Sequence, residues 1–292
     1  MIVQVPASAS NLGPGFDSLG IAWKLHDRIA FEPADRLMIS GCEERFRGPD
    51  NLACAGFAAA FQEKDLAVPG VSIEFLECAV PVSRGLGSSA ALIAAGAAAA
   101  NAMGGLGLSR GELLTVCTRV EGHPDNLAPA IFGGFTAAAH EDGRCFCARY
   151  SLSPALRFLA VIPDRELSTA AARRVLPENY SRADAVFNLS LTALLIAALG
   201  SGDMEMLRFA MRDRIHQPYR LPLIAGGEEV FALTETIAGK SAAACISGAG
   251  STMLVVSDDE ERLSALHRAF ADRFPGWKLV PLEPDPDGLR IL

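Results

Sequence analysis

The sequence predicts an α+β fold, strands alternating with helices that lie over one face of the sheet. Three observations predict it. Val71 to Glu77 alternates apolar and polar residues with the period of a half-buried strand. Ser109 and Glu112 form the Ser-x-x-Glu capping-box pattern ahead of a periodic stretch to Val120. Residues 89–103 are nearly all alanine on every face, so that helix must be buried, with small side chains that let neighbouring backbone approach.

In chain order, Ile2 to Pro6 and Gly20 to Phe31 read as strands flanking a tight turn at Asn11 to Gly15. Asn51 to Glu63 reads as a helix opened by asparagine, and Val71 to Glu77 as a strand. Helices at Ser89 to Met103 and Ser109 to Val120 follow, and Ala128 to Phe135 leads into a strand pair running through Cys145 to Ser151. Ser151-Leu152-Ser153-Pro154 precedes a fresh apolar strand, Arg157 to Ile162, which places a domain division between residues 153 and 154, giving domains 1–153 and 154–292. The second half supplies helices at Ser168 to Val175, Asp184 to Leu199, Asp203 to Met211, Glu228 to Ile237 and Glu260 to Phe274. Strands fall near Ala243 to Ser247, Thr252 to Val256 and Trp277 to Pro281.

With 292 residues, 50% hydrophobic and 21% charged, the chain can bury a sizeable core and is not disordered. A net charge of -8 disfavours nucleic acid and anionic membranes as partners, since both ask for a basic surface. Met1 to Pro6 lacks a basic leader pattern, and the longest apolar run, Ala90 to Met103, is too short to span a bilayer, so a cytoplasmic protein is expected. Seven scattered cysteines lack zinc-type spacing and read as mostly buried thiols.

Function is concentrated in residues 81–91, Pro81-Val82-Ser83-Arg84-Gly85-Leu86-Gly87-Ser88-Ser89-Ala90-Ala91. Two glycines free to take positive φ precede a helix whose first amides carry partial positive charge, an arrangement that suits phosphate. Ser88 and Ser89 add hydroxyls able to cap the helix, bind phosphate oxygen or ligate Mg²⁺. No lysine follows as a Walker A loop requires, and the dinucleotide fingerprint, the nucleophile elbow and the protein-kinase signatures are missing as well. A different phosphate-binding architecture is required.

The segment resembles the second motif of the GHMP kinases, small-molecule kinases typified by those acting on galactose, homoserine, mevalonate and phosphomevalonate. Val5-Pro6-Ala7-Ser8-Ala9-Ser10-Asn11-Leu12-Gly13-Pro14-Gly15-Phe16-Asp17-Ser18-Leu19-Gly20 resembles the first motif, and Ile246-Ser247-Gly248-Ala249-Gly250-Ser251-Thr252 the third. Glu121-Gly122-His123-Pro124-Asp125-Asn126 and residues 213–220 are similar to stretches of the homoserine kinase branch. The resemblance implies two domains, an N-terminal one with a left-handed βαβ crossover and a ferredoxin-like C-terminal one. It also implies ATP and Mg²⁺ as cofactors and L-homoserine as acceptor. Members of this family often form homodimers, and the sequence leaves the oligomeric state open.

By the same resemblance, Pro81, Ser83, Arg84, Gly85, Leu86, Gly87, Ser88, Ser89, Ala90 and Ala91 hold the ATP phosphates, and Glu121 with Ser88 or Ser89 holds the metal. An amino acid acceptor asks for a carboxylate facing its ammonium and arginines facing its carboxylate. Asn11, Asp17, His123 and Asn126 can supply the first environment, Arg173 and Arg220 the second, with Gly248 and Gly250 in the covering turn. Asn11, Asp125, Thr169 and Arg173 form the implied catalytic set; Thr169 and Arg173, four apart, share a helix face.

In mevalonate kinase-like members the aspartate matching Asp125 is the proposed base, assisted by a lysine. No lysine lies between Val3 and Trp23, which favours a mechanism without a side-chain base, Asp125 mainly shaping the site. His216 either orients Arg220 or is structural, and His26, His140 and His267 stand outside any constellation. Three other readings stay open: a GHMP kinase for another small alcohol, a catalytically silent protein of this fold, and, more remotely, a serine hydrolase.

Overall fold

The computed structural model describes residues 1–292, and apolar side chains sort them onto two sheets. The first half runs β1 (Ile2–Ser10), β2 (Leu19–Pro33), β3 (Met38–Ser40), α1 (Leu52–Gln62), β4 (Val71–Cys78), α2 (Ser88–Met103), α3 (Arg110–Glu121), α4 (Leu127–Phe132), β5 (Phe135–Glu141) and β6 (Arg144–Tyr150). The second runs β7 (Arg157–Ile162), α5 (Thr169–Arg174), α6 (Arg182–Ser201), α7 (Met204–Ala210), α8 (Gln217–Arg220), α9 (Gly227–Ala238), β8 (Ala242–Ile246), β9 (Met253–Ser257), α10 (Glu260–Arg273), β10 (Lys278–Leu282) and β11 (Arg290–Ile291). Helix starts follow the side chains that can satisfy free amides. Asn51, Ser168, Ser181, Asp203 and Asp259 each accept a backbone N–H, and Ser109 with Glu112 forms the full capping box.

The first sheet has the order β11-β1-β2-β4-β3, with β5 also pairing to β2 and carrying β6; the second, β10-β7-β9-β8, is antiparallel throughout. Strand β1 does not stop at Pro6 but shifts register there and continues to Ser10. A proline lacks the ladder donor, and a bulge absorbs that loss without ending the strand. The approach to the β5–β6 hairpin is largely α4. Strand β11 pairs with β1, so a division between residues 153 and 154 leaves this last strand on the first sheet.

Helices α1 to α4 pack Phe57, Phe61, Ile93, Leu114 and Ile131 against Val3, Val5, Ile29 and Ile73 of the first sheet. The second sheet is covered on both faces, because β7 is buried from Phe158 to Ile162. Leu159 and Val161 face Val230, Leu266 and Phe270 of α9 and α10. Phe158, Ala160 and Ile162 join α6 and α7 and also Ala9, Ile21 and Trp23 of the first sheet, in one shared core. The longest apolar helix is α6, not the alanine run; an 18-residue window of this 20-residue helix has mean hydropathy 1.7 and meets the length and composition of a membrane span, while Leu191, Leu195 and Leu199 turn into protein.

Helices α1 and α2 meet backbone to backbone. A Cβ on Gly96 would lie 1.8 Å from the Ala53 carbonyl oxygen, and one on Gly56 2.1 Å from that of Ile93. Helix propensity alone favours Gly96→Ala by about 1 kcal/mol. Because the clash is with backbone, overpacking wins, and we expect a net loss of about 1–3 kcal/mol in urea unfolding.

Candidate active site

Helix α2 starts at Ser88, one residue earlier than its periodicity suggests, and Gly87, in the left-handed region at φ 71°, stands at its N-cap. Ser88 and Ser89 are thus the first two helical residues rather than caps, and no side chain satisfies the opening amides. The loop is closely packed at both glycines. A Cβ on Gly85 would sit 2.2 Å from the Ser247 carbonyl oxygen, and one on Gly87 2.1 Å from Ser8 Oγ. Glycine is needed at both positions for close approach as well as for positive φ.

Hydrogen bonds join the three glycine-rich segments. Ser8 Oγ donates to Asn126 Oδ1 (2.9 Å), and Asn126 Nδ2 donates to Ser10 Oγ (2.8 Å). The Gly248 amide donates to the Ser10 carbonyl at 2.8 Å, and Ser247 Oγ to that of Gly85 at 2.6 Å. Asn126, expected to face the acceptor, spends both ends of its amide on this junction while still edging the cavity.

That cavity, of about 650 Å³, gathers most of the expected site residues. Ser83, Arg84, Gly85, Gly87, Ser88 and Ser89 line it beside Asn11, Glu121, His123, Thr169, Arg173, Arg220, Gly248 and Gly250. Four members of the phosphate segment do not line it: Leu86, Ala90 and Ala91 are buried in the core, and Pro81 is half-buried outside the lining. Asp17 and Asp125 lie just outside its wall, each holding a residue that lines it.

Glu121 ends α3 and accepts a hydrogen bond from Ser89 Oγ at 2.6 Å. Burial raises its pKa, partly offset by Ser89 and His123. Asp125 is fully buried; its Oδ1 accepts from His123 Nδ1 (2.7 Å) and the Asn126 amide (2.9 Å), while Oδ2 has no partner. Burial alone would raise this carboxyl, but the bond and charge of His123 hold it below the usual range. Burial likewise pushes His123 down, and Asp125 and Glu121 outweigh it to leave the imidazole raised.

Arg173 forms a bidentate pair with Asp17, at 2.7 and 3.1 Å. Asp17, His123 and Asp125 present ligand atoms within 4.8 Å of one another, so the two pairs adjoin. Arg220 is 1% exposed and donates to the carbonyls of Ala172 (3.2 Å) and Gly248 (3.3 Å). Burial and the neighbouring Arg173 depress its pKa. Phe16 was missed by sequence reasoning: the guanidinium carbons of Arg173 and Arg220 lie 5.6 and 5.0 Å from its ring centre. An aromatic between Gly15 and Asp17 in a glycine turn was the available signal. His216 stacks on the same ring and donates from Nε2 to the Gly13 carbonyl at 2.7 Å, so it holds the first loop rather than Arg220 itself.

Residues 51–134 match the family model described as GHMP kinases N terminal domain. The chain is 38% identical over 294 residues to the homoserine kinase of Clostridium beijerinckii, covering 99% of this chain and 98% of that one. The chain belongs to the homoserine kinase family of the GHMP kinases. The Synechococcus sp. homoserine kinase is 43% identical over 276 residues, 91% of this chain and 88% of its own. The crystal structure of homoserine kinase from Cytophaga hutchinsonii superposes with TM-score 0.88 at 25% identity, over 100% of this chain and 97% of that one. The α+β architecture is thus the two-domain GHMP kinase fold.

In this family member the raised pKa of His123 depends on Asp125. The stability it adds is fully present below about pH 6.5, the free imidazole value, and is lost as pH rises through the raised folded value. In Asp125→Asn, burial remains without the carboxylate. We expect the His123 titration, followed by NMR, to move from above the free value to below it.

Proposed function

We propose that this kinase transfers the γ-phosphoryl group of ATP to the hydroxyl of L-homoserine, giving O-phospho-L-homoserine and ADP in threonine biosynthesis, in the cytoplasm. One observation carries the assignment: the Asp17–Arg173 pair and Arg220 lie beside the uncapped start of α2, within reach of a single cavity. The helix start and glycine loop suit a triphosphate, and the ion pair suits a zwitterion. Asp17 would receive the ammonium, and Arg173 with Arg220 the carboxylate, leaving the hydroxyl toward the phosphates.

Ser89 Oγ and Glu121 offer two hard oxygens 2.6 Å apart on the cavity wall, which suits Mg²⁺, an ion that keeps several waters and takes few protein ligands. The bond to Glu121 favours Ser89 over Ser88 as the serine that would hold it. When bound, the ion supplies charge neutralisation to the phosphates. The protein's own part is positioning. Asp125 does not line the cavity and directs one oxygen to His123 and a backbone amide, which supports its role as a brace rather than a base.

Purified protein with Mg-ATP should release ADP in response to L-homoserine, and not to L-serine, L-threonine, mevalonate or galactose. Stimulation by another alcohol alone would discard the arginine assignments. Arg173→Lys should raise KM for homoserine about tenfold or more, since a point charge cannot replace a bidentate fork. Asp125→Asn should keep turnover within about tenfold; a loss of several orders of magnitude at unchanged substrate affinity would make Asp125 the base.

A further inference from the structure

Beyond the phosphate loop, away from Arg173 and Arg220, the cavity continues into an arm walled by Phe46, Phe75, Cys78, Val80 and Leu92. With the phosphates at α2 and the acceptor on the arginine side, this arm is the space left for the nucleoside base. Glu43, Arg45, Asp50 and Asn51 also line this cavity, and one buried carboxylate, Asp27 of β2, is 3% exposed and lines it as well. Asp27 Oδ1 accepts from the Val80 amide at 2.9 Å. A carboxylate can accept about four hydrogen bonds, so this amide leaves acceptor capacity directed at the cavity.

We infer that Asp27 reads the base edge of the nucleotide, accepting a hydrogen bond from an exocyclic amino group and so selecting 6-aminopurine over 6-oxopurine triphosphates. The inference rests on the kinase reading above. An ionised carboxylate is acceptor-only, so a 6-oxo group would face it oxygen to oxygen, and both would lose solvation without gaining a bond. The mismatch is costly at a carboxylate that is 3% exposed, where little water can satisfy either partner and the neighbouring Asn51 amide is already engaged with the Phe46 carbonyl and the Ala53 amide. Burial pushes the Asp27 carboxyl up to about 6, against the pull of the Val80 and Ala79 amides, so at pH 8 it is ionised and holds this preference.

Asp27 has a second possible duty: Val80 adjoins Pro81, so the carboxylate braces the approach to the phosphate loop. Asp27→Asn separates the two. The asparagine keeps an oxygen for the Val80 amide and presents an NH₂ donor in place of the other oxygen, matching a 6-oxo group instead of a 6-amino group. Initial rates with ATP and ITP at pH 8 and saturating L-homoserine give the ratio of kcat/KM for each protein. We expect wild type to favour ATP by at least about tenfold, and the variant to lose at least about tenfold of that ratio, with KM for homoserine unchanged. Equal losses with both nucleotides would reduce Asp27 to a loop brace and overturn the inference, as would a wild type indifferent to ATP and ITP. Calorimetric titration of ADP against IDP reads the same preference without an acceptor. A protein silent toward homoserine would then fail the kinase reading alone, while an ADP to IDP affinity ratio that is near one, or unmoved by the substitution, would fail this one.

Discussion

The structure is organised around a helix end that the protein leaves unsatisfied. The opening amides of α2 have no side-chain cap, a state that costs free energy until an anion arrives. What holds it is the contact of Gly85 with the Ser247 carbonyl and of Gly87 with Ser8, where any Cβ would collide. The continuation of β1 past Pro6, the buried amide of Asn126 and the turn at Gly248 are all arranged around those two contacts. Because β1 and β7 share one core, the halves of the cavity that these segments carry are fixed against each other.

An acidic chain that takes a polyanion must reverse its own potential locally. Here that is achieved by the α2 amides and by the Arg84, Arg173 and Arg220 side chains that line the cavity. Burial raises the pKa of Glu121, whose carboxylate accepts from Ser89 beside the phosphate loop. The net charge of -8 says nothing against such a ligand.

Periodic and capped elements were legible in the sequence, because their signals are local: Ser109 with Glu112, Asn51, and the alternation in Val71–Cys78. Short elements held by distant partners were not. Strand β11 exists because Val3 and Gln4 offer it an edge, and β3 because Ser72 to Glu74 does. Most of the site residues could be named because their motifs are contiguous, whereas their pairings could not. Nothing in the spacing of 17 and 173 says that the carboxylate and the guanidinium meet, and Phe16 and Asp27 are ordinary residues until the fold places them on or beside one cavity.

If the acceptor binds as proposed, the Asp17–Arg173 pair makes its binding an exchange of partners rather than a neutralisation of idle charges. An incoming zwitterion separates the two and offers each a new counter-ion, so one internal ion pair becomes two intermolecular ones. A simple amine or a simple carboxylate would break the resident pair and compensate only half of it. On that proposal, discrimination against singly charged alcohols would come from the cost of opening the site, with no need for a steric filter at its mouth.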